Sequence, residues 1–286
     1  MLNQKLVIVS GKGGVGKSAV SVALALRAQR AGLRVLVSAM IDEIGASIHL
    51  GADRLSYEPS SFTGGIDAMV VERGRALEEY IRVQMRVPPA APLKALSKAM
   101  QVLVDTAPGI REVISMGKPI FDAWQGQYDL VIVDAPPLGQ LMSYLRAPEG
   151  VAKLVPTGGV KEQARRMADF MRDPEQCSLV LVTTPEELPA IETAEALAEL
   201  QREPVIAVDA VLANRVLPEM DVDRETIESL ANRPATAAAF HHLGLLEEQR
   251  DSLVSLPIDV ELPYLFGIHT PAEVAAQLAD SWEDSL

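Results

Sequence analysis

The sequence predicts an α/β protein with a doubly wound, mostly parallel sheet, and three observations carry that prediction. Several short runs are apolar at every position. Segments with helical apolar spacing lie between them. A glycine-rich loop joins the first run to the first helical segment. Runs that are apolar throughout fit strands covered on both faces by helices, whereas a half-exposed strand would alternate. Alternating strands and helices then give parallel strands joined by crossovers.

The apolar runs are residues 6–9, 35–37, 130–133, 179–182 and 205–208. Residues 17–31 read as a helix with Val20, Ala23, Leu24 and Ala28 on one face. Residues 187–200 read as another, with Ile191, Ala194, Leu197 and Ala198 on one face. Two helix starts share one pattern, Thr184-Pro185-Glu186-Glu187 and Thr270-Pro271-Ala272-Glu273. Each offers a threonine N-cap, a proline in the first turn and a glutamate three residues after the cap. Residues 72–127 break the alternation and read as helices interrupted by Pro88-Pro89 and Pro92, a small helical insertion between two strands of one domain spanning 1–286. Residues 148–176 are irregular, with Gly158-Gly159 and the basic side chains Lys153, Lys161, Arg165 and Arg166. That segment is either a solvated amphipathic helix or a local basic patch.

Composition narrows the function classes. The chain has 286 residues, 48% of them hydrophobic, so a sizeable core is available. A formal net charge of -13 argues against a nucleic-acid partner, because such binding rests on cations that neutralise phosphates. Cys177 stands alone, so neither an intrachain disulfide nor a CxxC metal pair can form. The histidines are His49, His241, His242 and His269, and the adjacent pair reads as a helix surface. No apolar run approaches the ~20 residues of a membrane span, and the N-terminal apolar stretch is short for a signal segment. We therefore expect a cytoplasmic protein with no direct membrane insertion.

The residues Gly11-Lys12-Gly13-Gly14-Val15-Gly16-Lys17-Ser18 follow the first apolar run and open the first helix. This is GxxxxGK[ST] in its strand–loop–helix setting, a phosphate-binding loop. Gly11, Gly13, Gly14, Val15 and Gly16 would turn successive N–H groups toward one anion, and the helix adds its positive end. Lys17 would reach the β- and γ-phosphates, and the Ser18 hydroxyl would ligate Mg²⁺. ATP or ADP with Mg²⁺ is the expected ligand, and the helical insertion would lie beside it.

Lys12 makes the loop more specific. GKGGVGK[ST] resembles the deviant Walker A signature of the MinD, ParA, nitrogenase-iron-protein and ArsA/GET families. The resemblance implies that Lys12 acts across a dimer on phosphate bound by the other chain. The run Asp134-Ala135-Pro136-Pro137-Leu138-Gly139-Gln140-Leu141-Met142-Ser143-Tyr144-Leu145-Arg146-Ala147-Pro148 is similar to the ArsA/GET switch II pattern DTAPTGHTLRxLxxP. Asp134, Pro136, Gly139, Leu145 and Pro148 fall in register. That implies an Asp134 carboxylate that orients Mg²⁺-bound water and a Gly139 that approaches phosphate, with switch II and a variable helical segment over about 134–177.

Further blocks resemble the same family. Leu181-Val182-Thr183-Thr184-Pro185-Glu186 looks like its VxxPE junction. Val211-Leu212-Ala213-Asn214-Arg215-Val216-Leu217-Pro218 looks like its VVNRxLP segment, which implies adenine recognition by Asn214. Leu262-Pro263-Tyr264-Leu265-Phe266-Gly267 resembles the loop that covers the base, which implicates Pro263 and Tyr264. The likeness runs from residue 5 to about 280 and is thin over 72–107 and 149–177.

The chain departs from the pattern in switch I. Where the family reads STDPAH, this chain has Ser38-Ala39-Met40-Ile41-Asp42-Glu43-Ile44. In direct register Ile41 takes the place of the water-orienting aspartate, and Asp42 sits one residue later as the candidate substitute. Gln140 replaces the switch II histidine, and the zinc CxxC and arsenite-binding cysteines of other members are missing. Met85, Met100, Met116, Met167 and Met171 lie in the two irregular stretches and suit either an adaptable client surface or ordinary core packing.

Three functions follow. The first is a dimeric Mg·ATPase whose open and closed states hold or release a protein client, such as a membrane-protein segment. The second is a weakly hydrolysing subunit that pairs with a related, complete ATPase, which the altered switch I favours. The third is a ParA/MinD-type positioning ATPase. The acidic end Asp280-Ser281-Trp282-Glu283-Asp284-Ser285-Leu286 disfavours its membrane-bound form, which wants a basic amphipathic tail.

Overall fold

A computed structural model of the chain describes residues 1–40, 43–85, 109–220, 224–229 and 234–283. In chain order the elements are β1 (Leu6–Gly11), α1 (Lys17–Arg30), β2 (Val35–Ala39), α2 (Glu43–His49), β3 (Ser60–Ser61), β4 (Asp67–Val70), α3 (Arg73–Met85), α4 (Ile110–Gln125), β5 (Leu130–Asp134), α5 (Leu138–Leu154) and α6 (Gly159–Arg172). There follow β6 (Cys177–Thr183), α7 (Glu187–Arg202), β7 (Ala207–Val216), α8 (Arg224–Ser229), α9 (Pro234–Leu253), β8 (Val260–Pro263) and α10 (Pro271–Glu283). One eight-stranded sheet runs β3-β4-β2-β5-β1-β6-β7-β8. Every pairing is parallel except the short edge strand β3, which runs antiparallel to β4.

Period-two geometry explains why the strands are apolar at every position. Along β1, Leu6 and Ile8 join one core while Val7 and Val9 join the other. The first core receives Met116 and Ile120 of α4, Leu141 and Leu145 of α5, Met167 of α6 and Leu200 of α7. The second receives Val20, Ala23 and Leu24 of α1 with Ala275, Leu278 and Trp282 of α10. Helix α1 lies between the sheet and α10, so it is buried well beyond the single face that its spacing suggested. The Arg27 guanidinium sits 4.8 Å from the centre of the Trp282 ring.

Several local expectations are corrected. The buried face of α7 is Ala190, Thr193, Ala196 and Leu200, whereas Ile191 is 45% exposed. Thr193 can be buried because its hydroxyl donates to the Pro189 carbonyl at 2.8 Å, which removes the polar cost that the pattern assigned to it. Thr184 does not cap α7. Glu186 precedes the helix without a side-chain cap, and its N–H donates to the Thr184 carbonyl at 2.8 Å. Strand β7 begins at Ala207, after the buried Val205 and Ile206, and continues to Val216. Burial alone, without ladder pairing, produced the apolar signal at 205–206.

Residues 148–176 are largely helical. Pro148 lies inside α5, and α6 buries Ala164, Met167, Ala168, Phe170 and Met171. The basic side chains of this stretch are surface groups: Lys153 pairs with Glu149 at 2.7 Å, and the Arg166 guanidinium lies 4.0 Å from the centre of the Trp124 ring. Met116, Met167 and Met171 are core residues, while Met85 and Met100 fall outside the described side chains. In the expected insertion, α3 and α4 are described, and Lys118 of α4 bridges Glu79 of α3 at 3.1 Å and Asp122 at 2.9 Å. Pro88, Pro89 and Pro92 lie outside the described residues. His241 is exposed on α9, and His242 lies 3.1 Å from the Pro218 carbonyl. Among the described residues, no helix is long and apolar enough to cross a membrane.

The second helix start is used. Glu273 N–H donates to Thr270 Oγ at 3.3 Å, and Thr270 N–H donates to the Glu273 carboxylate at 2.7 Å, a reciprocal capping box for α10. Thr270→Ala should destabilise the protein by about 1 kcal/mol. A thermal melt should therefore fall by roughly 2–4 °C, and an unchanged melting temperature would remove the cap from the account of α10.

Candidate nucleotide site

The site forms where the winding of the sheet changes direction. β1 and β5 are neighbours, yet α1 leaves β1 toward one face and α5 leaves β5 toward the other. A crevice opens at such a point beyond the carboxyl ends of the strands. Both strands deliver candidate residues to it: the glycine loop after β1 and Asp134 at the end of β5.

The loop's shape follows from its glycines. A Cβ on Gly11 would lie 2.0 Å from the Val182 carbonyl oxygen of β6, so only glycine fits there. Gly14 and Gly16 have φ of 91° and 92°, in the region that favours glycine. Gly16 precedes α1 without a side-chain cap, and the first turn of α1 holds no acidic residue. The first N–H groups of α1 and its positive end are thus directed at the loop, a ready anion site. Gly13 is exposed, and a Cβ added there would meet nothing within 4 Å. Val15 is buried and anchors the loop's underside.

The candidate metal residues are brought together. Ser18 Oγ donates to Asp134 Oδ2 at 2.6 Å, and Asp134 is 5% exposed. Ser10 Oγ donates to the Pro136 carbonyl at 2.6 Å, which ties the segment after β5 to β1. A hydroxyl and a carboxylate at the foot of a phosphate loop are hard oxygen donors that fit Mg²⁺, which takes few protein ligands and keeps water and phosphate for the rest. Lys17 Nζ donates to the Lys12 carbonyl at 3.1 Å, placing its ammonium over the loop. Lys12 itself extends the other way and forms an ion pair with Glu192 of α7.

A cavity of about 570 Å³ continues from the loop, and Gly14, Gly16, Lys17, Ser18, Asn214, Pro263 and Tyr264 are among the residues that line it. Asn214 is 4% exposed and braces the loop. Its Nδ2 donates to the Val15 carbonyl at 2.8 Å, and its Oδ1 accepts from the Arg215 N–H at 3.0 Å. A Cβ on Gly16 would lie 2.4 Å from Asn214 Nδ2. An asparagine amide carries a second N–H and a second lone pair beyond these two bonds. Arg215 has φ of 64° and lines the same cavity. Tyr264 N–H donates to the Val216 carbonyl at 2.7 Å, which holds the loop after β8 against β7.

Some candidates stand apart. Gly139 is the second residue of α5, exposed and outside the cavity lining. Asp42 lies outside the described residues. Cys177 is buried at the start of β6, where burial pushes its thiol well above the usual range. The sequence reading also missed residues. His49 and His269 line the cavity, and burial lowers the His49 imidazole below its ordinary range despite a 2.7 Å contact to the Gly45 carbonyl. Glu192 carried no signal, since 180 residues separate it from Lys12. Arg215 could have been found beside Asn214 in the same block.

Comparison with known proteins gives the chain's family. A profile of the anion-transporting ATPase family matches residues 4–157 and 156–242. ATPase BagA of Mycobacterium tuberculosis is 28% identical over 232 residues, covering 75% of this chain and 66% of that protein. The arsenical pump-driving ATPase of Acidiphilium multivorum is 25% identical over 285 residues, covering 88% of this chain and 46% of that protein. An ATPase ASNA1 homolog of Entamoeba dispar is 27% identical over 255 residues, covering 76% of this chain and 78% of that protein. The chain thus spans about two thirds of the mycobacterial relative and under half of the pump-driving one.

Proposed function

The chain belongs to the anion-transporting ATPase family, and from that premise we propose that it binds and hydrolyses Mg·ATP and uses the resulting change of shape to hold or release a partner. The carrying observation is the Ser18–Asp134 pair, 2.6 Å apart at the foot of the phosphate loop. When bound there, Mg²⁺ neutralises charge on the phosphate oxygens. The chain's residues do the rest. N–H groups from Gly13 to Ser18 hold the phosphates, Lys17 supplies a cation, and Asp134 orients water. Asn214 keeps the loop in shape while presenting its remaining N–H and lone pair to adenine, and Pro263 and Tyr264 cover the base. Gly139 gives the segment after Asp134 room to move toward the phosphate.

The proposed assembly is a dimer that encloses the nucleotides, formed by two copies or by this chain and a related ATPase subunit. Leu188 and Ile191, 63% and 45% exposed on α7 beside Glu192 and Lys12, support an interface on this face. Lys12 would act there on phosphate held by the other subunit. The client would be a protein, such as a membrane-protein segment. The pump-driving name of one relative suggests an anion pump as another partner, but the buried Cys177 thiol gives no support to metalloid capture by this chain.

The test is steady-state ATP hydrolysis with Mg²⁺ and with a chelator, alongside sedimentation in ATP and in ADP. Chelator-sensitive turnover with a heavier species in ATP is the expected result. ATP that neither binds nor turns over would overturn the proposal. ATP binding without turnover would favour the second reading, a subunit that needs a complete partner. What favours that reading is the resemblance in switch I, where the family's STDPAH aspartate has no counterpart in direct register and Asp42 is the shifted substitute.

A further inference from the structure

Lys12 and Lys17 belong to one loop, yet their ammonium groups part company. Lys17 stays over the loop on the Lys12 carbonyl, whereas Lys12 reaches across to Glu192 on α7. The place of Glu192 is fixed by the packing of that helix. Ala190 and Ala196 are buried, and Thr193 is both buried and bonded to the Pro189 carbonyl. Farther along, Glu199 and Glu203 grip Arg146 of α5, each at 2.6 Å. Arg146 belongs to the helix that follows Asp134, so α7 touches the loop lysine at one end and the helix leaving the metal residues at the other.

The pair is only partly shielded, with side chains 28% and 39% exposed. An ion pair of that kind is screened and weak. It is strong enough to bias where Lys12 rests and weak enough to yield to a phosphate, which carries more charge than one carboxylate. We propose that Glu192 is a positioning residue that competes with nucleotide phosphate for Lys12. The phosphate can belong to this chain's own nucleotide or to that of a second subunit. In either case Lys12 engages it only after leaving Glu192, and the carboxylate sets how readily that happens. This inference rests on the nucleotide reading above.

The test is a double-mutant cycle read by half-saturation with a fluorescent ATP analogue, in Mg²⁺ and at one fixed chain concentration. Glu192→Gln should lower the half-saturating concentration about two- to fivefold, the range expected for releasing a partly exposed pair. Glu192→Asp, which keeps the carboxylate, should stay near the parent value. In a Lys12→Met background Glu192→Gln should add nothing, because the competition no longer exists. Where turnover is measurable, the change should appear in KM more than in kcat. No shift from Glu192→Gln overturns the proposal. An equal shift with and without Lys12 also overturns it, because general repulsion of the anion by Glu192 would then account for the effect. Failure of the parent chain to bind the analogue at all is a different result and defeats the nucleotide reading itself.

Discussion

Gly11→Ala should lower the stability of the fold by about 3 kcal/mol, the upper part of the range for overpacking a filled interior. The added Cβ would lie 2.0 Å from the Val182 carbonyl oxygen and 3.0 Å from Val15 Cγ2. Neither neighbour can yield cheaply. Val182 is paired with Gly11 in the centre of the sheet, so its carbonyl moves only if β1 and β6 separate. Val15 is buried beneath the phosphate loop. At a few degrees per kcal/mol, the thermal midpoint should fall by roughly 6–12 °C. Nucleotide affinity should fall with it, because the loop hangs from the strand end that must shift. Gly150→Ala is the matched comparison. Gly150 lies inside α5 with nothing within 4 Å of the added carbon, so that change should stabilise slightly through helix propensity. Equal melting temperatures for the two variants would show that the close approach at Gly11 is not a constraint.

The pair of glycines also shows what the sequence could and could not disclose. The motif placed Gly11 in a phosphate loop, but it did not reveal that a neighbouring carbonyl forbids a side chain there. Strand runs at residues 6–9 and 130–133 were legible because each is buried on both faces, so every position is apolar. The face of α7 was misread for the complementary reason: a local hydrogen bond lets Thr193 act as a core residue while Ile191 faces solvent. The start of β7 was misread because Val205 and Ile206 are buried without being paired in the sheet.

The candidate site divides along the same line. Its contiguous part, from Gly11 to Ser18, was readable because the phosphate loop needs fixed spacing. Asp134 and Asn214 were reached only through resemblance, and what Asn214 does for the loop was not visible at all. Its bond to the Val15 carbonyl joins β7 to the loop across 199 positions of sequence. The Lys12–Glu192 pair, the cavity-lining His49 and His269, and the Arg146 clasp between α5 and α7 depend on tertiary contact and have no local pattern. Family likeness fixes the chemistry that the loop supports. The biasing proposed for Lys12 would act through the tertiary contact with Glu192.

Asp134→Asn and Lys17→Ala should separate the chemical step from nucleotide binding. Asp134 is buried at the strand end and accepts from Ser18 at 2.6 Å, so the asparagine keeps its shape and can still accept that bond. It loses the negative charge that a divalent cation needs. ATP affinity without Mg²⁺ should therefore stay within a few-fold of the parent, while Mg²⁺-dependent hydrolysis falls on the order of 100-fold, as when one preorganised electrostatic group is removed. Lys17→Ala should act earlier. Its ammonium lies over the loop on the Lys12 carbonyl, and without it the phosphates lose a cation within the chain. Binding should weaken with or without Mg²⁺. Titration with a fluorescent ATP analogue, with the metal and with a chelator, distinguishes the two patterns. An Asp134→Asn chain whose hydrolysis and metal dependence match the parent would remove Asp134 from the metal site and detach the proposed chemistry from the Ser18–Asp134 pair.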